Sequence, residues 1–298
     1  MKLAIKKTSF TKVKNVEIPD IFFRRLKSGI KEFDDLFGDG LLPGSALTFT
    51  GVAGCGKTTA LLQLMEALAA NNYQVGYASG EENMFQLAFT CRRLNVENVS
   101  IANETDIDSL ADAMKELDVL VIDSFQALTS SKKMNSQELE RYAVSKLVSA
   151  AKENECVLIF VMHLTKAGVL KGSTLVPHAV DVNFKIAMDP ELDETARVID
   201  VYKNRFGPTG VYGATMTSKG LEVSGKIEVA KAPSKKARQK QHEEKVMQMD
   251  PPNITKNRIA KDLKLTDSQA YLLLKSMTDS GKLIKYGRGA QAVWKKAQ

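Results

Sequence analysis

The sequence predicts an α/β fold: a mostly parallel central sheet flanked by helices, followed by a small winged helix-turn-helix. Three observations carry that expectation. A phosphate-binding pattern, Gly51-Val52-Ala53-Gly54-Cys55-Gly56-Lys57-Thr58, lies between an apolar run and a helical stretch. Two more short apolar runs, Val75–Ala78 and Val119–Ile122, lead into carboxylates, and unbroken runs of that kind mark strands buried on both faces of a parallel sheet. Charge is also uneven. Residues 226–298 hold 17 Lys and Arg against 7 Asp and Glu, an excess of +10, while the other 225 residues stand at −3.

Residues 1–19 are polar and basic without a period, which predicts an extended arm. From Ile21 to Phe37 an amphipathic pattern (Phe22, Leu26, Ile30, Phe33, Leu36) is broken at Lys27-Ser28-Gly29. Gly38-Asp39-Gly40 and Pro43-Gly44 supply turns into the strand Ala46–Thr50. Thr59–Ala70, with Leu61, Leu62, Leu64, Met65 and Leu68 at core spacing, is the helix after the loop. In that context the glycines let backbone N–H groups turn onto phosphate at the positive end of the helix. Gly51, Val52, Ala53, Gly54, Cys55, Gly56, Lys57, Thr58 and Thr59 are the expected cradle for a nucleoside triphosphate, ATP. Lys57 would reach the outer phosphates, and the Thr58 hydroxyl would hold Mg²⁺.

The second strand ends in Ser79-Gly80-Glu81-Glu82, at the edge where open parallel sheets bind ligands. Glu81, ahead of Glu82, is the expected base for the attacking water. The pair would equally suit the first turn of a helix running to Leu94. Asp118–Ser124 delivers Asp123, 65 residues after Thr58, as the second Mg²⁺ ligand. Met134–Asn154 is helical, and the strand Cys156–Met162 ends at His163 on the same edge, either a sensor of the terminal phosphate or a structural histidine. Val169–Ala179 is expected as a mobile loop facing a DNA channel. Val180–Met188 and Arg197–Tyr202 pair about Asp189-Pro190, and Thr215–Val223 closes the domain as a hairpin. Between them, Lys203-Asn204-Arg205-Phe206-Gly207-Pro208 places two cations where no packing role is evident.

No apolar run approaches the ~20 residues of a membrane span. Met1–Lys7 is basic but lacks the apolar core of a secretory leader. Cys55, Cys91 and Cys156 show no C-x-x-C pairing, so neither a zinc site nor a disulfide framework is expected, and a reducing, cytoplasmic setting fits. Cys55, beside the phosphates, is either redox-sensitive or a small residue filling a variable slot.

Residues 226–245, with Pro233-Ser234-Lys235-Lys236-Ala237-Arg238, read as a basic linker. In residues 246–298, Ile254–Leu263 and Leu265–Met277 read as two helices, the second capped by Thr266. Leu283–Tyr286 and Ala292–Trp294 form a wing about Gly287-Arg288-Gly289. In such a module the second helix enters the major groove and the wing follows phosphate. The expected contacts are Lys256, Arg258, Ser268, Gln269, Lys275, Lys285 and Arg288. A protein-docking module with a solvated basic face is the alternative.

Ser28-Gly29-Ile30, Gly40–Ser45, the phosphate loop, Ser79–Glu82, Val121–Ser124, His163-Leu164-Thr165-Lys166 and Lys203–Gly207 stand in the order and spacing of the bacterial RadA (Sms) ATPase core. Residues 20–225 resemble that family, and Lys203–Gly207 is the most specific block. The resemblance implies a RecA-type core that assembles as a ring (a hexamer) or a filament, with ATP between neighbours. It makes Lys57, Thr58 and Asp123 the nucleotide–Mg²⁺ set and Glu81 the base. Lys203 and Arg205 would act across the interface or couple ATP to DNA. The implied partners are single-stranded or branched DNA, further copies of the chain, and a recombinase. The family's N-terminal zinc module and C-terminal protease-like domain have no counterpart pattern in this sequence. The basic tail stands instead, as in a phage or mobile-element version. The implied activity is a DNA-dependent ATPase driving strand exchange or branch migration. Two alternatives are a replicative-type hexameric helicase or helicase loader, and an ATP-switched duplex-binding regulatory or partition protein.

Overall fold

The computed structural model describes residues 11–18, 20–165, 175–188, 193–227, 235–249, 254–263, 265–287 and 292–297, with the side chains of 21, 22, 235–238 and 241 outside that description. The chain divides into two compact units, Met1–Glu228 and Val229–Gln298. The first runs α1 (Lys31–Phe37), β1 (Ala46–Gly51), α2 (Lys57–Ala70), β2 (Val75–Ser79), α3 (Met84–Arg93), β3 (Ser100–Ala102) and α4 (Ile107–Ala113). It continues with β4 (Val119–Asp123), α5 (Ser136–Glu153), β5 (Val157–His163), α6 (Leu175–Ala179) and four strands, β6 (Val182–Met188), β7 (Ala196–Asn204), β8 (Gly210–Thr217) and β9 (Gly220–Ile227).

All nine strands form one sheet in the order β3-β2-β4-β5-β1-β6-β7-β8-β9. The pairs from β3 through β6 are parallel, and β7, β8 and β9 extend the sheet antiparallel. Strand alternation sorts the apolar side chains into two cores. Leu47, Phe49, Val121 and Ile159 face the layer that contains α1–α3. Leu120, Ile122, Leu158 and Phe160 face α4, α5 and α6. Both faces are therefore covered, which is why these strands read as unbroken apolar runs. Each such side chain removed from water contributes about 1.5–3 kcal/mol of transfer free energy.

Local chemistry moves several boundaries from those expected. Only Lys31–Phe37 of the Ile21–Phe37 pattern is α-helical, because buried Asp34 accepts hydrogen bonds from Ser28 N, Ser28 Oγ and Gly29 N and closes the turn in front of it. Helix α3 starts at Met84, capped by Asn83, whose side chain takes the N–H of Phe85 and Gln86 while Gln86 returns to Asn83 N. Glu81 and Glu82 thus precede the helix and do not form its first turn. Helix α4 and the three-residue edge strand β3 carried no clear sequence signal. Most of the loop expected at Val169–Ala179 lies outside the described residues, and its end, Leu175–Ala179, is helical.

The described part of the second unit begins with α7 (Lys235–Gln248), so the latter part of the expected linker is helical. Lys, Arg, Gln and Glu favour helix there, and Val246 is anchored in the unit's own core. Next come β10 (Ile254–Thr255), α8 (Lys256–Asp262), α9 (Asp267–Asp279), β11 (Leu283–Tyr286) and β12 (Val293–Lys296). The three strands make an antiparallel sheet in the order β10-β12-β11. Trp294, Leu274, Met277 and Ile259 fill the space between sheet and helices. Among the described residues, no helix is long and apolar enough to cross a membrane.

Candidate active site

The carboxyl ends of β1, β2, β4 and β5 converge, and the loop between β1 and α2 lies over them. Gly56 adopts φ +102° as the N-terminal cap of α2, with no side chain closing the helix's free N–H groups. A Cβ at that position would meet only the movable end of Met216, so it is the backbone conformation that favours glycine. Lys57 is buried, and its Nζ donates to Gly51 O at 3.1 Å and Val52 O at 3.0 Å. An ammonium held only by loop carbonyls fits a phosphate group entering from above.

Thr58 Oγ1 donates to Asp123 Oδ2 at 3.2 Å. The same oxygen accepts from the Tyr77 hydroxyl at 2.5 Å. Burial pushes the Asp123 carboxyl up, and the Tyr77 hydrogen bond pulls it back. Burial, then the Asp123 charge, pushes the Tyr77 phenol well above its ordinary range. Glu81 Oε1 accepts from Ser124 Oγ at 2.6 Å and lies 2.9 Å from His163 Nε2. That last pair is at ion-pair distance without the alignment of a hydrogen bond, which leaves His163 Nε2 unbonded. Glu82 Oε2 is also buried without a partner. Burial, then Asp123 and Glu81, raises the Glu82 carboxyl. The Asp123–Ser124 peptide is cis.

The ligand atoms of Glu81, Asp123 and His163 lie within 4.8 Å of one another. Hard oxygens from Thr58 and Asp123, a buried lysine and uncapped helix N–H groups are together a donor set that fits a magnesium nucleotide.

Lys203 and Arg205 sit elsewhere. Lys203 pairs with Asn183, itself level with Thr48, and Arg205 N bonds to Asp181 O, beside Ala46. Arg205 is therefore five residues back along β1 from Gly51, roughly 16 Å at strand rise. Lys203 Nζ donates to Pro177 O, His178 O and Val180 O at the end of α6. Burial, then Arg205, lowers its affinity for a proton. Arg205 Nη1 pairs with buried Asp181 at 2.9 Å. The rest of the block packs: Asn204 Oδ1 closes its own turn on Phe206 N, and Gly207 meets Gly38 so closely that a Cβ would lie 2.9 Å from the Gly38 Cα.

Three supporting residues were given no role by the sequence. Tyr77 looked like one more strand hydrophobe, although a buried tyrosine needs a partner for its hydroxyl. Ser124 positions Glu81. Arg197, on β7 and 8% exposed, donates Nε to Cys55 O at 3.0 Å and Nη1 to Glu194 O and Ala196 O, bracing the phosphate loop from behind. Cys55 is buried, and burial raises its thiol.

In the second unit, Lys256 pairs with Asp267 and Arg258 with Asp262. Gln269 Oε1 accepts from Thr266 N as part of a capping box, so that oxygen is committed to the helix end. Ser268, Lys275 and Lys285 are exposed. Arg288 lies outside the described residues.

Residues 12–169 match the family model described as AAA domain. The chain is similar to the DNA repair protein RadA of Haemophilus influenzae, 35% identical over 208 residues, covering 66% of this chain and 44% of that protein. The Escherichia coli RadA is 34% identical over 209 residues, 67% of this chain and 45% of that one. The Streptococcus pyogenes serotype M3 RadA is 34% identical over 227 residues, 74% and 49%. The chain thus spans less than half the length of these curated relatives. Among solved structures, the ATPase domain of G40P aligns at TM-score 0.58 and 15% identity, covering 70% of this chain and 93% of that one. The KaiC-like protein PH0186 of Pyrococcus horikoshii OT3 aligns at TM-score 0.57 and 20% identity, covering 67% and 98%. At those identities the likeness concerns the fold.

Proposed function

Because the chain belongs to the AAA-domain family of P-loop ATPases, we propose that it is a RadA-like, DNA-dependent motor of recombination or repair that drives branch migration or strand exchange. The observation that carries this reading is the split between two sheet edges. Lys57, Thr58, Asp123, Glu81 and His163 gather at one edge, while Lys203 and Arg205 occupy the other. Cations so far from their own phosphate loop suit a neighbouring copy's nucleotide, which supports ATP bound between protomers of a ring or filament.

Thr58 Oγ1 and Asp123 would hold Mg²⁺, and bound Mg·ATP supplies the phosphoryl group that water attacks. Lys57 places its ammonium against the outer phosphates. Glu81, with Oε1 fixed by Ser124, keeps Oε2 free to orient the water and accept its proton. His163 Nε2, beside Glu81, would sense the terminal phosphate and report its state to β5. Lys203, on the carbonyls at the end of α6, would tie that helix to the partner-facing edge. DNA bound by the assembly would shift this network between gripping and releasing states, and the C-terminal unit would bind DNA as a winged helix.

The test is steady-state ATP hydrolysis without DNA, with single strands and with duplex, on wild type and Lys203→Ala. Stimulation by single strands that Lys203→Ala abolishes supports the motor. Turnover indifferent to DNA overturns it and favours the ATP-switched duplex binder.

A further inference from the structure

Three described cations of the C-terminal unit are held by carboxylates. Lys256, Arg258 and Lys282 are each neutralised by a carboxylate of the same unit, Asp267, Asp262 and Glu243. The exposed side of α9 adds Lys275 and Tyr271, but Tyr271 stands there with Asp267, Asp279 and the aliphatic Leu272. Among the described residues Lys240, Lys245, Lys261, Lys275 and Lys296 also lack a carboxylate partner, and two lysines of the β11–β12 hairpin are set apart by lying beside aromatic rings. Lys295 Nζ lies 5.1 Å from the Tyr286 ring centroid, and Lys285 Nζ lies 5.4 Å from that of Trp294. Among the described residues, neither forms an ion pair with a carboxylate.

Register explains what this hairpin presents. Ile284 sits opposite Lys295, and Tyr286 opposite Val293, so these four share one face of the sheet. Leu283 and Trp294 turn to the other face and are buried in the unit's core. The outer face is left with Ile284 at 45% and Tyr286 at 49% exposure beside an uncompensated amine. A surface with an accessible ring and a free cation is what an unpaired strand of nucleic acid needs: a π-face for a base and charge for the phosphate next to it. Duplex DNA keeps its base faces inside the stack and gains nothing from Tyr286. The unit's positive charge also favours a polyanion over an apolar protein partner.

We infer that the outer face of the β11–β12 hairpin is a binding site for single-stranded nucleic acid, with Tyr286 as the stacking platform and Lys295 on the flanking phosphate. This rests on the reading of the chain as a DNA-dependent ATPase. It assigns strand capture to the sheet and not to α9, the helix that would read a groove.

Trp294 is the chain's single tryptophan and lies directly across the hairpin from Lys285, so its emission reports on this unit alone. Full-length protein without nucleotide is titrated with an oligo(dT) probe and with a duplex of equal length. Oligo(dT) is expected to change Trp294 emission saturably. Tyr286→Ala should raise its Kd by about 5- to 100-fold, the range for loss of one base–aromatic stack. Tyr286→Phe should stay within about twofold of wild type, since the stack uses the ring and not the hydroxyl. Lys295→Gln should weaken binding and reduce the salt slope by about 0.7. Leu272→Ala on α9 should leave the oligo(dT) Kd unchanged. A Tyr286→Ala Kd within twofold of wild type overturns the inference, as does equal weakening of the duplex. Either result leaves DNA-stimulated hydrolysis untouched. Absence of DNA binding and stimulation in the wild type would instead overturn the parent reading.

Discussion

The Tyr77 hydroxyl, buried on β2, donates to Oδ2 of Asp123 at the end of β4. Ser79 is level with Asp123 in the parallel register, so Tyr77 stands two residues below the carboxylate it serves. Thr58 reaches the same oxygen. One carboxylate oxygen is thus fixed by two hydroxyls from two elements, which sets the plane of the group before any cation arrives.

Tyr77→Phe keeps the buried ring and removes only that donor. The Mg²⁺ concentration for half-maximal ATP binding should rise on the order of tenfold, as when an outer-shell partner of a metal ligand is lost. Calorimetric titration of a slowly hydrolysed ATP analogue across a magnesium series checks it. An unchanged magnesium requirement would mean Tyr77 matters only for packing.

Glu81→Gln should lower kcat by roughly 10²–10⁴ while leaving KM near that of wild type, because proton acceptance is lost and nucleotide contacts are not. Glu82→Gln should cost much less. Single-turnover hydrolysis with both variants decides. A larger loss for Glu82→Gln would exchange the two roles.

The three thiols should be inert in the native protein. All are buried. Burial raises Cys55 and Cys91 and pushes Cys156 up to about 12. A raised thiol holds its proton, so at pH 8 the reactive thiolate is scarcer than in a free cysteine. A thiol reagent at pH 8 should therefore titrate no fast-reacting group when the chain is folded and 3 groups in urea. Rapid labelling of Cys55 would restore it as a redox-sensitive residue of the phosphate loop.

Leu274→Ala removes a fully buried side chain from the core of the second unit and should destabilise that unit by about 2–5 kcal/mol. Trp294 fluorescence in a urea titration reports this unit. Its midpoint should fall while nucleotide binding by the first unit persists. A parallel loss of nucleotide binding would argue against two separately folding units.

The phosphate loop, the Asp123 strand and the carboxylates after β2 were legible because each is a local signal, a few residues whose type and order fix a backbone shape. The two-sided sheet was legible for the same reason, since Val119–Ile122 and Val157–Met162 have no polar face to turn to water. What stayed hidden depends on residues far apart in the chain. Nothing in the sequence around Arg197 points to the carbonyl of Cys55, 142 positions away. Gly207 reads as a turn residue until Gly38 is found against it. Lys203 and Arg205 stood out by pattern, but their place on the sheet edge opposite the phosphate loop follows only from the antiparallel register of β7 on β6. The cationic stretch at the start of the second unit misled in the other direction, because charge obscured good helix formers anchored by Val246.

The distance between Arg205 and Gly51 gives each copy a front and a back. Under the proposed assignment, contacts between copies run head-to-tail, a heterologous geometry that joins unlike surfaces. A closed circle of such copies has as many complete sites as members, while an open row always ends in a phosphate loop with no Arg205 to meet it. One inert copy then affects two sites, its own and the one it should complete, so activity falls faster than the fraction of inert chain mixed in. Under the same assignment, a direction built into the chain would let successive hydrolysis events pass round or along the assembly in one sense.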